Sequence, residues 1–142
     1  MEYRRQSHAV YYTRYHVVIS TKYRWKILKW GVNEYIKRCL LGISKHYPEI
    51  EIVEINSDLD HIHMLMRIAP KMAVSAAVNI IKSRTGKMVR RRFKWLSKVY
   101  WDQEGIWSIG YFVSTVGTTE EVIRKSIEWQ GKEDSGQAKL EF

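Results

Sequence analysis

Residues 49–68, EIEIVEINSDLDHIHMLMRI, leave the chain few ways to fold. Two runs of apolar and β-branched residues flank the turn-forming SDLD, so 49–56 and 61–68 are expected to pair as a β-hairpin that Pro70 closes. Upstream, VYYTRYHVVIS (10–20) reads as a strand, and TKYRWK as a basic turn. Gly31 then precedes Val32, Ile36, Cys39, Leu40, Ile43 and Tyr47, the spacing of one helix face, which Pro48 ends. Downstream, Val74, Ala77, Val78 and Ile81 mark a second helix, expected to continue, bent at Gly86, into KMVRRRF. A loop over 94–110 holds three of the six tryptophans, and YFVSTV (111–116) is a fourth strand. Thr118 and Glu121 form a capping box for a last helix whose inward stripe is Val122, Ile123, Ser126, Ile127 and Gln130. Residues 131–142 are a polar, flexible tail. The order is β-α-β-β-α-β plus a terminal helix. This predicts an α+β, ferredoxin-like domain over 1–142: an antiparallel sheet with helices on one face, the other open to a ligand or a further helix.

Charge narrows the partners. The net charge is +9, yet residues 61–101 contain ten Lys or Arg and no Asp or Glu, while the rest of the chain has 14 basic and 15 acidic residues. The excess therefore sits in one block, in or beside which lie Phe93, Trp95, Tyr100, Trp101 and Trp107. Clustered cations neutralise phosphates and aromatic rings stack on unpaired bases, so nucleic-acid binding is favoured over a merely solvated face. Lys82, Arg84, Lys87, Arg90, Arg91 and Arg92 are the candidate phosphate contacts; the three adjacent arginines cannot all face one way on a helix. The single cysteine, Cys39, excludes an intramolecular disulfide and fits a packing role. There is no secretory signal and no apolar stretch of membrane-spanning length, so a soluble cytoplasmic protein without a membrane partner is expected.

In a strand, residues two apart share a face, so His61 and His63 point one way and Ile62, Met64 and Met66 the other. Two imidazoles one strand repeat apart are suited to one metal ion, with Asp60 placed to orient a ring; they also suit polar residues at a strand end. A third ligand is needed. Gln130 offers a carboxamide oxygen, and lies four residues after Ser126 on the same helix face.

These segments resemble a known family. YHVVISTKYR, DHIHMLM, IIKSRTGKMVRRRF, IWSIGYFVSTVG and EEVIRKSIEWQ are similar, in order, to the first strand, the His-hydrophobic-His signature, the basic helix, the Trp-to-Gly strand and the nucleophile helix of the single-tyrosine HUH transposases, the TnpA type carried by small bacterial and archaeal insertion sequences. The resemblance implies a ferredoxin-like fold and an obligate homodimer, with active sites shared between subunits. It implies binding of single-stranded DNA with subterminal hairpins, and Mg²⁺ or Mn²⁺ held by His61, His63 and Gln130. The implied reaction is transesterification through a tyrosine, giving a 5′-phosphotyrosine and a free 3′-OH.

At the nucleophile position this chain has Ser126. A serine hydroxyl lies closer to the backbone and ionises far less readily than a phenol, whose pKa is about 10. The expectation is a cleavage-deficient chain. An unusual serine nucleophile or a substitute such as Tyr111 are the less favoured readings. A non-catalytic, domesticated hairpin-binding protein is the alternative function; a zinc hydrolase lacks the acidic general base.

Overall fold

The computed structural model describes residues 4–6, 9–11, 14–115, 127, 128 and 130. Thr118, Glu121, Val122, Ile123, Ser126 and the tail lie outside the described residues.

β1 (Arg4–Gln6) and β2 (Ala9–Tyr11) pair with each other as a separate two-stranded ribbon. The expected strand over 10–20 is thus two elements, and only its second part, β3 (Tyr15–Ser20), enters the main sheet. There it is joined by β4 (Ile50–Ser57), β5 (His61–Ile68) and β6 (Phe112–Thr115), in the spatial order β4-β5-β3-β6. Every pairing is antiparallel. α1 (Val32–Leu41) joins β3 to β4, and α2 (Val74–Arg92) joins β5 to β6. This is the connectivity expected from the hydrophobic patterning.

One face of the sheet supplies the core. Val17, Ile19, Ile62, Met64, Met66 and Ile68 are buried together with Ile36 and Leu40 of α1 and Ala77, Val78, Ile81 and Val89 of α2. β4 keeps its isoleucines on this side through a bulge. Ile52 lies opposite Met66 and Glu54 opposite Leu65, leaving Val53 as the extra residue. Ile50, Ile52 and Ile55 therefore all face inward, although simple alternation would turn Ile55 out.

The first helix stops earlier than its apolar spacing suggests. Gly42, a poor helix former, caps α1, and a 3₁₀ turn over Ile43–Lys45 carries Ile43 into the core. α2, by contrast, runs unbroken through the expected bend at Gly86. That glycine is instead a close-approach point. A Cβ there would meet the Cα of Gly105, in the following loop, at 3.6 Å. This is ordinary contact, so Gly86→Ala is expected to raise stability in a denaturant melt by up to about 1 kcal/mol through helix propensity. Gly86→Leu is expected to lower it by about 1–3 kcal/mol through overpacking.

The loop from Lys94 to Gly110 is not structureless. It contains the short helix α3 (Leu96–Val99), and cations of α2 fasten it down. Lys82 Nζ donates to the carbonyls of Ser108 (2.7 Å), Ile109 (3.0 Å) and Gly110 (2.8 Å). Arg90 donates to the carbonyls of Gln103 and Gly105. Trp107 is buried, and its indole N–H donates to Thr85 Oγ1 at 2.9 Å. Burial holds the Cys39 thiol above its usual pKa, against an opposing pull from Arg84, so it stays protonated in its packing role on α1.

Candidate functional site

The second face of the sheet is polar. Strand register places His61 opposite Ser20 and His63 opposite Val18, with Asn56 across from His63 on the other side. His61, His63, His16, Val18 and Ser20 thus share the face turned away from α1 and α2, by the two-residue repeat.

Each histidine is held by a neighbour. His61 Nδ1 lies 2.8 Å from Asp60 Oδ1. A carboxylate only accepts, so Nδ1 carries a proton, and Nε2 is the ring nitrogen left for any ligand contact. Asp60 is itself fixed by Arg24, whose guanidinium approaches Oδ2 at 3.1 Å. His63 Nε2 lies 2.9 Å from His16 Nδ1, with the two rings 5.1 Å apart. One of these two nitrogens donates; a lone pair on His63 Nδ1 requires His63 Nε2–H to be the donor. Burial, and next the neighbouring His16 and His61, push the His63 pKa below its usual value, with only Glu54 opposing. The ring is therefore neutral at pH 7, the state a metal ligand needs.

The terminal helix reaches this face. Ile127 is buried against Val18 and Phe112. One helical turn on, Gln130 is buried, and its Oε1 accepts from the Ser20 N–H at 3.1 Å while Nε2 lies 3.5 Å from the Val18 carbonyl. The carboxamide thus serves as a rung on β3 beyond the point where β6 stops pairing. Its anchor, Ser20, is the register partner of His61.

Among the described residues no three His, Cys, Asp or Glu side chains are grouped to hold a metal ion. Gln130, of another residue type, lies on this face, and its Oε1 retains a second lone pair beyond the bond from Ser20. Ser20 Oγ is buried on the same face and finds no hydrogen-bond partner among the described residues. Two imidazoles, an amide oxygen and a hydroxyl without a partner among the described residues fit a hydrated divalent cation chemically. Ser126, the expected nucleophile position, lies outside the described residues.

The basic residues of α2 are elsewhere. α2 packs its apolar side on the core face, across the sheet from the histidines. Lys82 and Arg90 are engaged with the loop carbonyls described above. Arg84 is half-buried, 5.5 Å from the centre of the Tyr47 ring. Lys87, Arg91 and Arg92 are exposed. His16 and Arg24 carry the least sequence signal of the residues around the histidines. The hint for His16 is its place on the first strand, and both residues fall in YHVVISTKYR, one of the segments that carry the family resemblance.

Comparison with known proteins identifies the family. Residues 9–130 match the family described as IS200-like transposases. The chain is 32% identical over 128 residues to the transposase for insertion sequence element IS200 of Salmonella typhimurium, covering 90% of this chain and 83% of that protein. It is 27% identical over 122 residues to the ISDra2 transposase TnpA of Deinococcus radiodurans, covering 85% and 86%. In fold it is similar to the crystal structure of a protein from the same organism assigned as a transposase, with TM-score 0.74, 23% identity, and coverage of 96% and 99%. A REP-associated tyrosine transposase bound to a REP hairpin has TM-score 0.51 and 14% identity, covering 97% of this chain and 76% of that one. With the matched segment spanning both histidines and Gln130, the chain belongs to the family of IS200-like transposases.

Proposed function

We infer that this chain binds single-stranded, hairpin-bearing DNA ends, and that His61, His63 and Gln130 hold Mg²⁺ or Mn²⁺ beside the scissile phosphate. The carrying observation is the docking of Gln130 on Ser20, the residue paired with His61. When bound, the cation supplies polarisation of a phosphoryl oxygen. The chain's own residues do the positioning. Asp60 fixes the His61 tautomer, His16 holds His63, and Ile127 seats the helix that carries both Gln130 and the nucleophile position. The working unit is a homodimer, with terminal helices completing sites within or between subunits. Ser126 in place of tyrosine makes strand cleavage weak or absent. The hairpin seen with the REP-associated transposase supports the choice of DNA ligand.

A fluorescent single-stranded hairpin oligonucleotide tests this reading, with binding followed by anisotropy and metal by calorimetry. The expected result is tight hairpin binding, Mn²⁺ uptake, no covalent adduct, and loss of most metal affinity in His63→Ala. An unaltered chain that binds the hairpin but takes up no Mn²⁺ supports the second reading, a non-catalytic hairpin-binding protein, which Ser126 favours.

A further inference from the structure

Between β3 and α1 the backbone does something costly. Tyr23 (φ 62°) and Arg24 (φ 54°) are consecutive non-glycine residues in the left-handed region. Side chains with a Cβ avoid that region unless the surroundings enforce it, and such strain gathers at functional sites. Here the surroundings do enforce it. Thr21 Oγ1–H donates to the Trp25 carbonyl at 2.8 Å, and the Arg24 N–H to the Thr21 carbonyl at 2.9 Å. The Tyr100 hydroxyl donates to the Lys22 carbonyl at 2.9 Å, and Arg24 grips Asp60.

The strained turn presents an aromatic stack. The Trp25 ring lies on that of Tyr100, centroids 5.3 Å apart and planes within 25°. The Tyr23 ring leans on Trp25 at 5.0 Å. Tyr100 at the base is fully buried, yet Trp25 remains 44% and Tyr23 38% exposed. Packing alone would not hold an indole and a phenol in water on a disfavoured backbone. Lys22 and Lys26 flank them, with Lys22 Nζ 5.4 Å from the Tyr23 ring centre. The same turn touches the candidate site: Arg24 holds Asp60, and Asp60 holds His61.

A flat apolar ring surface bordered by cations matches a nucleobase joined to its phosphates better than it matches a protein surface. We propose that Tyr23 and Trp25 form a stacking platform for one unpaired nucleobase of single-stranded DNA, next to the phosphodiester at His61. Lys22 and Lys26 face that nucleotide's phosphates. This rests on the DNA-binding reading above and adds to it a defined base position.

The test compares a hairpin carrying an unpaired flank with the same hairpin lacking it, by anisotropy in EDTA. Trp25→Ala is expected to weaken binding of the flanked hairpin roughly 5- to 150-fold, the range found for stacked bases, and to leave the blunt hairpin unaffected. Trp25→Phe is expected to keep most of the affinity. An abasic nucleotide walked through the flank is expected to lower affinity of the unaltered chain at one position, and that loss is expected to vanish in Trp25→Ala. The abasic scan needs no variant, so it decides the matter even if Trp25→Ala misfolds. A flat scan with intact hairpin binding overturns the platform and leaves the DNA reading standing. Binding of neither oligonucleotide by the unaltered chain overturns both.

Discussion

Ser126→Tyr is expected to turn the chain from a binder into a strand-cleaving enzyme. With single-stranded hairpin ends and Mn²⁺, the variant should accumulate a covalent protein–DNA adduct, seen as a shifted band on a denaturing gel. The unaltered chain should form adduct on the order of 10⁶-fold more slowly or not at all, the scale of effect seen when an enzyme loses its nucleophile. The chemistry sets the direction. A phenol oxygen attacks phosphorus, the phosphotyrosine bond forms, and the departing 3′ oxygen takes up a proton. Serine offers a shorter arm and a much less acidic hydroxyl at the same place. EDTA and His63→Ala should each suppress the adduct in the tyrosine variant. Equal cleavage by the unaltered chain would refute the deficiency. An inert Ser126→Tyr chain that still binds hairpins and Mn²⁺ would show that the nucleophile position lies elsewhere.

Asp60→Ala carries the second large effect. The Asp60 carboxylate accepts from His61 Nδ1 at 2.8 Å and pairs with Arg24 at 3.1 Å, from a buried position. Its loss frees His61 to adopt the other tautomer, so Mn²⁺ affinity by calorimetry is expected to fall about 10- to 100-fold. It also removes the ion pair with the partly exposed Arg24, at a cost of up to about 1 kcal/mol in a denaturant melt. Asp60→Asn should fall between, since the amide oxygen still accepts from His61 but offers Arg24 no charge. Unchanged metal affinity in Asp60→Ala would remove His61 from the ligand set.

What patterning reveals here is local. The hairpin of β4 and β5 is legible because alternation and a turn signal lie side by side in the chain, and the common face of His61 and His63 follows from the strand repeat alone. What it conceals depends on contacts between distant segments. His16 lies 47 residues from His63 in sequence, and only the β3–β5 register brings them together. The role of Gly86 rests on Gly105 passing close by, which a reading along α2 alone takes for a bend. The pattern of β4 hides a bulge, because Val53 is apolar and fits either face of a strand. Ser126 is visible as a departure only against the family pattern; from spacing alone it is one polar residue on a helix.

Lys82 and Arg90 bear on how the chain meets a polyanion. An ammonium shared among three carbonyls and a guanidinium shared between two have their donors committed before DNA arrives. Such groups contribute to the long-range field but have little capacity left to displace condensed counterions from a phosphate. The steepness with which salt weakens association then tracks Lys22 and Lys26 at the aromatic turn and the solvent-facing Lys87, Arg91 and Arg92 more closely than the formal +9 of the polypeptide.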